Sequence, residues 1–146
     1  MIQARLLLCS DSASIDARLN TISAFHIAEE MNTPSFPVVI PRISLVLMLV
    51  REEADPSNVQ LQLQIHSANQ QVFAGPIPFD FAQRLAGRAI ADMHGLLVPL
   101  PGLLRFVVLY EERQLGSWAI TMNQIGQASL QMNLGVVPPV PPPQPL

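Results

Sequence analysis

The chain has 146 residues, a formal net charge of −3 at pH 7 and eight cationic side chains, all arginine, scattered from Arg5 to Arg113. That length suits one domain that buries a core without disulfides or metal, and a single cysteine, Cys9, allows no intrachain disulfide. With no clustered basic stripe for a phosphate backbone, nucleic acid is not an expected partner.

Hydrophobic residues make up 49% of the chain and charged residues 13%, against about 25% charged in an ordinary domain. So little charge on a small domain predicts that part of its surface is covered by another chain or by self-association. No apolar run approaches a membrane span. Leu6, Leu7 and Leu8 are too short a run for a secretory signal, so a cytoplasmic location is expected.

Taken in chain order, the apolar pattern has a period of two, the mark of strands. Ala4 to Cys9 reads as the first strand. Ser10 to Ile15 reads as turn chemistry, since Ser and Asp bond their own backbone. Thr21 to Ala28 is the next strand, with Ile22, Ala24 and His26 on one face and Ser23, Phe25 and Ile27 on the other.

Glu29 to Arg42 carries Pro34, Pro37 and Pro41 and is expected to connect two sheets. Its Phe36, Val38, Val39 and Ile40 either cap the open end of the core, the favoured reading, or are exposed for a partner. Ile43 to Val50 is apolar on both faces and reads as a strand covered on both sides. After the turn Arg51-Glu-Glu-Ala-Asp-Pro-Ser57 comes Asn58 to His66, where Val59, Leu61, Leu63 and Ile65 alternate with Gln60, Gln62, Gln64 and His66. These two segments are expected to pair as a hairpin.

Gln71 to Phe81 and Ile90 to Val98 are weaker strands. Pro76 and Pro78 place the first at a sheet edge, and Phe81 to Ala91 could instead hold a short helical turn. Leu103 to Tyr110 and Ser117 to Asn123 form a final hairpin. The sum is an all-β domain over residues 1–126: an antiparallel, immunoglobulin-like β-sandwich of seven or eight strands. Leu45, Leu47, Leu61, Leu63, Phe106 and Trp118 are its expected core.

Residues 127–146 form a proline-rich tail. Its last eleven residues, Val136 to Leu146, hold six prolines and favour extended polyproline II, a pre-ordered strip for a partner's groove. Val136, Val137, Pro138, Pro139, Val140, Pro141 and Leu146 are the expected partner-binding residues.

Little else carries chemistry. His26, His66 and His94 lie on three separate strands, and no pair has metal-ligand spacing. Cys9 ends an apolar strand, where a thiol is usually a small core residue. Glu29-Glu30, Glu52-Glu53 and Glu111-Glu112 sit at turns or strand ends. No nucleophile–base pair, phosphate loop or dinucleotide fingerprint occurs. The expected catalytic, metal and cofactor sites are therefore none.

The segments Leu7-Leu-Cys-Ser-Asp-Ser-Ala-Ser-Ile-Asp16, Leu19-Asn-Thr-Ile-Ser-Ala-Phe25, Ile43-Ser-Leu-Val-Leu47, Leu100-Pro-Gly-Leu-Leu-Arg-Phe106 and Gln114-Leu-Gly116 resemble an uncharacterised bacterial family of small β-sandwich proteins, a domain of unknown function. The resemblance covers about residues 4 to 124. Members usually carry Asp-Gly-type turns where this chain has Ala68-Asn-Gln-Gln71 and Glu111-Glu-Arg-Gln114. It implies a sandwich and a bacterial source, and no activity or functional residue.

The expected function is a non-catalytic protein–protein interaction module, an accessory or structural subunit of a larger bacterial assembly. The alternative is a ligand-binding sandwich that holds a lipid or carbohydrate.

Overall fold

The computed structural model describes residues 1–126 and 142–145. Nine strands follow one another: β1 (Gln3–Asp16), β2 (Thr21–Ile27), β3 (Glu30–Thr33), β4 (Val38–Val50), β5 (Asn58–Ser67), β6 (Gln70–Asp80), β7 (Ala86–Val98), β8 (Gly102–Tyr110) and β9 (Arg113–Gln124). They form two sheets, ordered β2-β1-β4-β7 and β3-β9-β8-β5-β6, packed face to face as an immunoglobulin-like sandwich. Every ladder is antiparallel except β3 with β9, which is parallel.

Alternation builds the core. Leu45, Leu47 and Leu49 of β4 face Leu61, Leu63 and Ile65 of β5 and Leu104, Phe106 and Val108 of β8 in one continuous cluster. The five aliphatic and aromatic side chains expected there, Leu45, Leu47, Leu61, Leu63 and Phe106, are all buried. Trp118 is only half-buried: its ring packs on the cluster and its Nε1–H donates to the Ala28 carbonyl at 2.7 Å. The indole sits at the rim because its N–H needs an acceptor, which the crossing chain at Ala28 supplies.

The segments 43–50 and 58–66 do not pair. β4 lies in the four-stranded sheet and β5 in the other, so residues 51–57 cross between sheets. β4 is flanked by β1 and β7, and β5 by β8 and β6, with the Gln-bearing face of β5 towards water. Arg51 fixes the crossing. Its Nε donates to the Arg84 carbonyl and its Nη1 to the Asp55 carbonyl, both at 2.8 Å, with the guanidinium over the Phe81 ring.

Ser10 to Ile15 is strand, not turn. β1 runs on to Asp16 and pairs with β2 from Ser10↔Ile27 to Asp16↔Thr21. Beyond Ser10, β1 has no partner in β4. A flat continuation would carry the hairpin tip on the order of 40 Å from the row that holds Leu6, Met48 and Arg88. Instead, Arg88 donates to the Asn20 carbonyl at 2.7 Å. The β1–β2 hairpin therefore leaves the sheet plane and folds back over its outer face. This covers Val46, which is 0% exposed although it points away from the core, and it buries Leu8, Ser10 and Ser44. The expected covering of β4 on both faces is thus real, and its own hairpin supplies the cover.

The Pro-bearing connection holds a short strand, β3, which accounts for the ninth. The chain crosses to the five-stranded sheet at Ala28 and returns with β4 from Val38. Ile40 is buried and Phe36 and Val38 pack on the core, as a cap should; Val39 is exposed. Residues 82–85 form turns before β7, and no helix occurs among the described residues.

Candidate functional site

Chemistry is sparse where the sequence placed its candidates. Cys9 is fully buried, and burial pushes its thiol well above the usual range, which keeps it protonated and inert. His26 lies 3.6 Å from Asp11 across β1 and β2 on open surface. His66 Nε2 lies 3.3 Å from Gln64 Oε1 on β5, and His94 stands opposite Arg42. Asp16 Oδ1 accepts from the backbone N–H groups of Arg18 and Leu19, which shapes the hairpin tip. Among the described residues, no three His, Cys, Asp or Glu side chains come together to hold a metal. Nor is any helix there long and apolar enough to cross a membrane.

Two surface features stand out. The first is a shallow groove of about 690 Å³ on the outer face of the five-stranded sheet. Strand alternation makes it: β5 presents Gln64 and His66, and β8 presents Leu103, Arg105, Val107 and Leu109. The groove has amides, an imidazole and a guanidinium over an apolar floor, with no carboxylate and no Phe, Tyr or Trp among its lining residues.

The second is apolar. Val39 and Leu97, direct cross-strand neighbours on β4 and β7, are 52% and 53% exposed, and Leu100 and Leu103 after them are 46% and 52% exposed. Val39 and Leu97 therefore form an exposed apolar pair on the outer face of the four-stranded sheet, Leu100 is exposed in the β7–β8 turn, and Leu103 faces outwards from the other sheet, at the edge of the groove. Sequence reading placed Val39 among the residues capping the core. It missed Leu97, Leu100 and Leu103, because exposure at a strand end has no periodic signature.

The tail residues Val136, Val137, Pro138, Pro139, Val140, Pro141 and Leu146 lie outside the described residues.

A sequence model for a family of unknown function matches residues 5–123. No curated protein matches. Among solved structures, the chain is similar to an alkylpurine DNA glycosylase from Pseudomonas fluorescens bound to DNA containing an abasic site analog, at 13% identity and TM-score 0.47. That match covers 84% of this chain and 30% of the glycosylase, so this chain spans under a third of it. It is also similar to an immunoglobulin-like protein from Pseudomonas aeruginosa, at 9% identity and TM-score 0.46, covering 84% and 97% of the two chains. A β-glucosidase from Listeria innocua in complex with glucose is similar at 7% identity and TM-score 0.46, covering 86% of this chain and 16% of the enzyme. None of these likenesses bears on activity.

Proposed function

The chain belongs to this family of unknown function, DUF6941, and we propose that it is a non-catalytic protein–protein interaction module, an accessory or structural subunit of a larger bacterial assembly. The exposed pair of Val39 and Leu97, with Leu100 in the turn beyond it, carries this reading. Apolar groups gathered at one end of a well-packed sandwich gain free energy when a partner removes them from water. The inert thiol of Cys9 argues in the same direction, since it leaves the one cysteine unfit as a nucleophile. The tail strip from Val136 to Leu146 is the second proposed contact.

Affinity capture of the full chain from its native host tests the reading. A stoichiometric protein partner is expected, and the double variant V39S/L97S is expected to lose it while it keeps its melting temperature. Capture of the chain alone, with no partner and no self-association, overturns the reading.

A second reading rests on the groove at Gln64, His66 and Arg105, whose mix of polar side chains and apolar floor suits a carbohydrate or lipid headgroup. The absence of an aromatic stacking platform among its lining residues makes it the weaker of the two.

A further inference from the structure

The two sheets present four edges: β2, β7, β3 and β6. Natural sandwiches blunt such edges against pairing with other chains. β6 is blunted by Pro76 and Pro78, which lie opposite Gln62 and Gln60 and leave its free side short of donors. β3 has only four residues, and β2 is interrupted by His26 at a positive φ of 54°.

β7 has one such device, Gly95 at a positive φ of 70°, and it lies beyond the stretch 86–94. The strand runs for 13 residues with no proline, and its ladder to β4 is continuous in register from Val50↔Ala86 to Arg42↔His94. Its Ala89, Ile90 and Ala91 stay half-exposed, whereas Leu47, Val46 and Leu45, their partners on β4, are buried. The ladder also fixes which backbone groups are free. The Arg51 N–H donates to the Leu85 carbonyl at 2.8 Å, which sets a hydrogen-bonded pair there. By alternation, Gly87, Ala89, Ala91 and Met93 bond to β4, and Arg88, Ile90 and Asp92 turn their N–H and C=O groups to the open edge.

We propose that β7 pairs with β7 of a second copy of this chain, antiparallel and centred on Ile90, so that the two four-stranded sheets join edge to edge. Charge complementarity selects a second copy as the occupant. About a two-fold axis at Ile90, Arg88 of each copy stands opposite Asp92 of the other, and the Ile90 side chains meet at the axis. Within each copy Arg88 also donates to Asn20, and Asp92 also accepts from Ser44 Oγ at 2.5 Å and lies 3.7 Å from Arg42, so the cross-copy pairs add to these contacts. The three side chains share the outer face, because their β4 partners are Met48, Val46 and Ser44. The sequence of the edge is thus complementary to its own reverse. This pairing deepens the interaction-module reading and rests on it.

Sedimentation velocity on the full chain, across a range of concentrations, tests the pairing. The wild type is expected to be a dimer. R88D and D92R each place like charges opposite one another and are expected to weaken it about tenfold or more. R88D also releases Asn20, so recovery in the mixture is what assigns the loss to the charge pair. Mixed in equal amounts, the two variants are expected to restore a dimer, since each Asp then meets an Arg. I90P removes an outward donor without breaking the ladder to β4, and is expected to give a folded monomer. A wild-type dimer that none of these substitutions weakens overturns the pairing, because another surface then holds it. A mixture that does not recover overturns the register. A monomeric wild type that still holds a stoichiometric partner overturns the edge pairing and leaves the interaction reading standing; a monomer without any partner overturns both.

Discussion

Arg88 on β7 and Asn20 at the tip of the β1–β2 hairpin are bound to each other, although two strands separate their places in the sheet order. The guanidinium donates to both the backbone carbonyl and the side-chain oxygen of Asn20. This contact closes the hairpin over the outer face of its own sheet. Removing it in R88A is expected to loosen residues 11–27 first. Hydrogen exchange by mass spectrometry is expected to report faster exchange in the hairpin, with β5 and β8 unchanged.

Leu63 sits at the centre of the core at 2% exposure. Leu63→Ala is expected to cost about 2–5 kcal/mol of stability, read from denaturant unfolding. A cost near zero would place the side chain outside the core.

The β8–β9 hairpin turns on two residues, Glu111 and Glu112, both at positive φ (48° and 65°). Two-residue turns of this kind favour Asn-Gly, because a side chain in the left-handed region costs about 1 kcal/mol or more. Glu112→Gly is therefore expected to raise stability by about 1 kcal/mol, visible as a higher melting temperature.

Cys9 is expected to resist thiol reagents at neutral pH in the folded chain and to react fully in denaturant. Burial raises its pKa in the folded state. The sign follows: Cys9 contributes its stability below the unfolded thiol's pKa, about 8.5, and loses it as pH rises through the folded value. The melting temperature of the wild type, measured against Cys9→Ala, is expected to fall on going to alkaline pH.

A chain ending at Gly135 is expected to keep its melting temperature and to lose its captured partner. The core cluster lies wholly within residues 2–122, and six prolines remove backbone donors from the last eleven residues. Unfolding on truncation would mean that the tail packs on its own sandwich. Unchanged stability and unchanged capture would leave the tail without a role in docking.

Period-two alternation made the sandwich legible wherever one face is buried and one wet, as in Leu61, Leu63 and Ile65 against Gln60, Gln62 and Gln64. It failed at Ser10 to Ile15, where the hairpin is wet on most of its surface and reads like turn chemistry. It also failed on pairing. Alternation reports burial and not neighbours, so nothing in 43–66 reveals that β4 and β5 belong to opposite sheets. The exposure of Leu97, Leu100 and Leu103 was illegible for a related reason: a leucine in the core and a leucine awaiting a partner are the same letter. The edge of β7 was hidden too, because which strand ends a sheet is decided by topology.

The parallel pairing of β3 with β9 has a consequence for how the chain is made. Trp118 reaches the Ala28 carbonyl across 90 residues of sequence, and Asn123 reaches Glu30 across 93. The four-stranded sheet has all its strands by Val98, but the five-stranded sheet cannot be completed by an N-terminal fragment, since the last strand must return to the first third of the chain to join β3 to it. Such long closures are slow to form. Until β9 arrives, a nascent chain holds β8 with one flank bare, and that interval is when misassembly is most open to it.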